Sequence, residues 1–98
     1  MLMRVASRTR VAGLAGAIAN HLRDQQAGVL DDDDGTLSVQ AVGPLPIYTA
    51  ATALGLAQRF VEEDGIAFTT SIRLMQTEGS GPRSPADAVR FEIVVARP

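Results

Sequence analysis

The residues best suited to chemistry form one short run, Ser7, Arg8, Thr9 and Arg10, set just ahead of a segment with helical apolar spacing. Guanidinium groups pair with phosphate oxygens, while hydroxyls and the free amides of a helix start add oriented donors, so this run is a candidate anion or nucleic-acid contact. Its competing role is an ordinary solvated loop with helix capping. Arg4, Arg59 and Arg83 are lesser candidates for the same field, each also readable as solvated surface charge. Catalytic groupings are missing from the sequence. His21 is the sole histidine and reads as a surface or interface residue, and there is no cysteine. The spacing of Asp31 to Asp34 fails the calcium-loop pattern, because the required glycine and terminal bidentate acid do not arrive together, and the run reads as a solvated loop. Glu62, Glu63 and Asp64 read as a polar helix end. No triad, Walker loop or dinucleotide fingerprint is present, so no catalytic residue, metal ligand or cofactor is expected.

The charge needed for phosphate contact is unevenly distributed. All nine basic side chains are arginine, against eleven acids, for a net charge of -2. The total supplies no general attraction to nucleic acid, but field depends on arrangement. The first thirty residues hold Arg4, Arg8, Arg10 and Arg23 against Asp24 alone. Asp31 to Asp34 and Glu62 to Asp64 are expected on a different face. With 98 residues, 46% of them hydrophobic and 20% charged, the chain suits one domain, 1–98, with a packed core. Without cysteine, disulfides, thiolate nucleophiles and Cys-based zinc sites are excluded. No run reaches the roughly 18 to 20 apolar residues of a membrane span, and no signal-peptide pattern opens the chain; a cytoplasmic protein with no membrane partner is the expectation.

The elements that must position these arginines follow from periodicity. Leu2 to Ala6 predicts a short strand. Val11, Leu14, Ile18 and Leu22, with Ala15 and Ala19 beside them, predict a first helix. Gln25 to Gly35 predicts a surface connection, and Thr36 to Val42 a second strand. Gly43 and Pro44 end that strand, and Pro46 suits the first turn of a second helix, where its missing donor costs little. The buried stripe of that helix is expected to be Ile47, Ala50, Ala51, Leu54, Ala57 and Val61, with Gly65 marking its end. An extended segment from Ile66 puts Phe68, Ile72 and Leu74 on one face and Thr69, Ser71 and Arg73 on the other. Gly79 to Asp87 predicts a long turn or hairpin arm. In the last strand Val89, Phe91, Ile93 and Val95 alternate with Arg90, Glu92 and Val94, and Val94 is expected to bury part of the second face. The phenylalanines, Phe60 included, fit core stripes, and Tyr48 suits an interface or a partly buried helix position. The order is strand, helix, strand, helix, strand, strand: an α/β chain (an α+β two-layer sandwich) with two helices on one face of a four-stranded mixed sheet.

The opening MRVASRTRVAGLAGAIANHLRDQ, the central VQAVGPLPIYTAATALGLAQRF and the terminal AVRFEIVVARP resemble the stage V sporulation protein S family, small bacterial proteins of Alba-like architecture. Ser7 and Arg8 stand at its polar-basic pair, Ala15 and Gly16 continue its small-residue helix, and Gln40, Ala41 and Gly43 keep its strand-turn pattern. Val11 and Ala12 replace a Pro-Asn pair, Pro44 to Pro46 replace an Ala-Gly-Ala-like turn, and Tyr48, Thr49 and Thr52 replace Asn, Gln and Lys. The lost lysine removes a phosphate-contacting charge.

The resemblance implies an Alba-like domain and a homodimer, with assembly to a tetramer as an extension. It also implies approach to DNA or RNA through the basic first loop and the sheet or hairpin ends, in the service of sporulation or another developmental programme. The function expected is non-enzymatic, backbone-weighted nucleic-acid binding. The alternative is a homo-oligomeric protein-protein interaction scaffold that binds no nucleic acid.

Overall fold

Two strand-helix-strand units step across the sheet in the same direction, and that decides the architecture. The computed structural model describes residues 1–28, 36–77 and 86–96. The strands are β1 (Leu2–Val5), β2 (Thr36–Val42), β3 (Phe68–Thr77) and β4 (Ala86–Val95), and the helices α1 (Val11–Gln26) and α2 (Pro44–Glu62). The sheet order is β1-β2-β4-β3. β1 is parallel to β2, while β4 runs antiparallel to both β2 and β3, which makes β3 parallel to β2. Since crossovers between parallel strands are right-handed, two that step the same way put both helices on one face. The other face stays open. Both helices also start at the same end of the sheet, where β1 and β2 finish.

The core lies between the helices and alternate residues of the central strands. Leu37, Val39 and Ala41 of β2, with Phe91 and Ile93 of β4, pack against Leu14, Ile18 and Leu22 of α1 and Ala50, Ala53, Ala57 and Val61 of α2. The alanines bring α2 close to its neighbours. Ile18 and Leu22 are fully buried, and truncating such a side chain to alanine costs about 2–5 kcal/mol. No helix is long and apolar enough to cross a membrane among the described residues.

The expected order of elements is found, and the face assignments of β3 and β4 agree with the register. Several boundaries and burials differ. α1 runs on through Gln25 and Gln26, β3 starts at Phe68, and Asp87 already pairs in β4 opposite Gln76. α2 begins at Pro44, so Pro44 and Pro46 both sit in its first turn. Ala51 is exposed while Thr49 and Ala53 are buried. Small residues fill this stretch, so side-chain size did not mark the edge of the stripe. His21 is buried at 8% exposure, because it lies three residues from Ile18 and seven from Leu14 on the packed face. Phe60, Tyr48 and Val94 are exposed, Val94 because nothing among the described residues covers the open sheet face. Ile72 and Leu74 share the helix-side face with Phe68, yet each is 69% exposed. The helix layer stops short of the second half of β3. The acidic run Asp31 to Asp34 and most of the expected hairpin arm lie outside the described residues.

α2 ends on a glycine, as expected. Gly65 has φ 72°. Its N–H donates to the Glu62 carbonyl at 3.0 Å, and the Ile66 N–H donates to that of Val61 at 3.1 Å. These two bonds reverse the chain into β3, with Val61 and Ile66 both buried beside the turn.

Candidate nucleic-acid interface

The loop from β1 to α1 is held from within. The Thr9 N–H donates to the Ala6 carbonyl at 3.1 Å, and the Ala6 N–H donates to Thr9 Oγ1 at 2.9 Å. Thr9 is therefore half-buried as the brace of the turn. Ser7 and Arg8 are exposed at its tip. Arg10 is the residue before α1, in extended conformation, and its carbonyl accepts the Leu14 N–H at 3.0 Å. The amides of Val11, Ala12 and Gly13 thus precede the first intrahelical bond and stay available, and no acid occupies this first turn. Among the described residues neither Arg8 nor Arg10 has a hydrogen-bond or ion-pair partner. Two unpaired cations and three free donors share one helix start.

The other predicted positions divide. Arg4 is exposed on the open sheet face, two residues before the loop begins. Arg59 is exposed in the last turn of α2, which is 19 residues or about 28 Å long, so it lies at the opposite end of the molecule. That end also holds Glu62, Glu63 and Asp64, all exposed. The expected separation of acids from the loop arginines is thus along the molecule for this cluster. Arg83 lies outside the described residues.

The family model for stage V sporulation protein S matches residues 1–96. The chain belongs to the stage V sporulation protein S family. Among solved structures, Alba from Thermoplasma volcanium is similar with a TM-score of 0.65, covering 99% of this chain and 100% of that one at 15% identity. An identity that low speaks for the fold alone, and the fold is Alba-like. No curated protein matches the sequence.

Within this stage V sporulation protein S domain the two helix starts are not equivalent. Gly43, before α2, has φ 90° and ψ 163°, a region that only glycine occupies at ease. Its N–H donates to the Asp87 carbonyl at 3.3 Å. Pro44 and Pro46 have no N–H to give, so Leu45 alone keeps a free amide in the first turn. The α1 start, not the α2 start, is equipped for an anion.

Two further arginines come into view only with the register. Gln40 stands opposite both Arg4 and Arg90, and Arg90 stands opposite Arg73. Alternation in β3 and β4 already turns Arg73 and Arg90 away from the helices. Their alignment with Arg4 depends on β4 lying between β2 and β3, which local spacing does not encode.

Proposed function

We propose that this stage V sporulation protein S domain is a non-enzymatic, homodimeric nucleic-acid-binding protein with a developmental role in the sense of its family name. It contacts the phosphate backbone through the loop from Ser7 to Arg10. The observation that carries this reading is the α1 start: exposed Arg8 and Arg10, neither paired among the described residues, beside the free amides of Val11, Ala12 and Gly13, with no acid in the turn. Arg4 adjoins the same field. Arg59, among the acids at the far end, contributes little. Binding is weighted to the backbone, because the exposed aromatics Tyr48 and Phe60 lie on α2, well separated along the helix, and form no stacking platform. A dimer duplicates the patch and adds the two contacts in one complex.

The apolar pair Ile72 and Leu74, exposed on an edge strand, supports self-association. It also supports the second reading, an oligomeric scaffold without nucleic acid. A salt titration of binding to mixed duplex DNA, single-stranded DNA and RNA, on a size-calibrated sample, separates the two. The proposal expects saturable binding whose affinity falls with salt, and a salt slope about 1 smaller for each of Arg8→Ala and Arg10→Ala. A folded oligomer that binds none of the three at low salt is a scaffold.

A further inference from the structure

The open sheet face carries a transverse row, Arg4, Gln40, Arg90 and Arg73, one residue from each strand in the order β1, β2, β4, β3. Three strand spacings make it about 14 Å wide. Arg90 Nε and Nη2 both donate to Gln40 Oε1, at 3.3 and 2.9 Å. A neutral acceptor fixes the guanidinium plane without cancelling its charge. Arg4 is exposed and has no partner among the described residues. Arg73 is mostly exposed and meets Glu92 at 3.7 Å, the single carboxylate on this face among the described residues. Asp87 alternates to the helix side, and Asp24, Glu62, Glu63 and Asp64 belong to the helix layer. Among the described residues, three cations against one acid make the face positive in a chain whose net charge is -2.

We infer that this row is a second phosphate-contacting surface, over which the backbone of a nucleic acid held at the Ser7 to Arg10 loop continues across the strands. The inference rests on the nucleic-acid reading above. It adds Arg73 and Arg90 as contacts and gives the bound strand a path. Charge complementarity selects a polyanion, and continuity selects one long enough to reach both sites, since Arg4 lies in the row and its chain enters the loop two residues later. Ser38 and Ser71, one row along on the same face, supply hydroxyl donors to such a backbone. No exposed aromatic stands on the face, so it reads charge and not bases.

The test is the salt dependence of binding to a mixed-sequence single-stranded DNA of about 20 nucleotides between about 50 and 200 mM salt. Arg73→Gln is expected to reduce the slope by about 0.7, and Arg73→Gln with Arg90→Gln by about twice that. Glu92→Gln is expected to move affinity the opposite way, tightening binding. Should the Arg90 variant lose its fold with the Gln40 bonds, Arg4→Gln with Arg73→Gln, both at exposed positions, gives the same readout. If the parent binds and Arg8→Ala weakens it while the row variants keep the parental slope, the row is overturned and the loop site stands. If the row variants keep that slope but lose affinity for poly-L-glutamate, the face is an acidic-protein surface and the inference is again overturned. A parent that binds no nucleic acid overturns both.

Discussion

Arg23 Nε lies 2.6 Å from Asp64 Oδ2, joining the closing turns of α1 and α2. The same guanidinium donates through Nη2 to the Phe60 carbonyl at 2.9 Å and through Nη1 to Asn20 Oδ1 at 3.3 Å. One arginine of the basic first segment is therefore spent on structure, satisfying a carbonyl at the end of α2 where a cation is also favoured by the helix dipole. Both partners are half-exposed, which keeps the ion pair modest. Arg23→Met is expected to lower stability by about 1 kcal/mol while leaving the nucleic-acid salt slope unchanged. Urea unfolding and a salt titration of the same variant check both halves. A slope reduced as for Arg8→Ala would make Arg23 a phosphate contact instead.

His21 poses the opposite problem. Its Nε2 is buried with no hydrogen-bond partner among the described residues, and so is Oε1 of Gln25 one turn further along α1. An unmet buried polar atom costs about 1–3 kcal/mol. His21→Leu keeps the side chain on the packed face and removes that cost, so the variant is expected to be more stable than the parent by about 1 kcal/mol. The urea midpoint reads it directly. A clear loss of stability would mean that the imidazole is hydrogen-bonded in solution.

Ile72 stands opposite Phe91 and Leu74 opposite Val89, on the helix side of the sheet beyond the reach of the helices. Pairing this strip between two copies covers it twice. Ile72→Thr with Leu74→Thr keeps strand propensity and removes the apolar surface. At about 2 kcal/mol or more of lost burial, the proposed dimerisation should weaken about 30-fold or more. Sedimentation over a concentration series reads the shift. Unchanged dimerisation would place the interface elsewhere on the molecule.

What the sequence made legible follows from the range of the signals. Local periodicity marked the six elements, and Gly65 marked the turn after α2, because helix and strand repeats and a left-handed glycine are properties of neighbouring residues. The loop arginines were visible for the same reason, as types and spacing ahead of a helix. Burial was less legible wherever it depended on how far another element reaches. Ile72 and Leu74 lie on the face their alternation indicates, yet the helix layer ends before them. His21 carries a polar side chain on a stripe that geometry buries. The arginine row is least local of all, since Arg4 and Arg73 stand at its two ends and fall into line through Gln40 and Arg90 only when β4 lies between β2 and β3.

The α1 start supports a prediction in which stability and binding move in opposite directions. Ala12 is exposed in the first turn, beside the free amides and two residues after Arg10. A carboxylate there answers the helix dipole and the unmatched donors, worth about 0.3–1 kcal/mol of added stability. It also puts a negative charge where the loop site would hold a phosphate. Ala12→Glu is therefore expected to raise the thermal midpoint and to weaken binding to single-stranded DNA at low salt, with Ala12→Gln as the uncharged control. An interaction scaffold that never uses this helix start would show the first effect without the second. The paired outcome distinguishes the readings on one folded protein, because the variant that loses affinity is the one that gains stability, and damage to the fold cannot account for it.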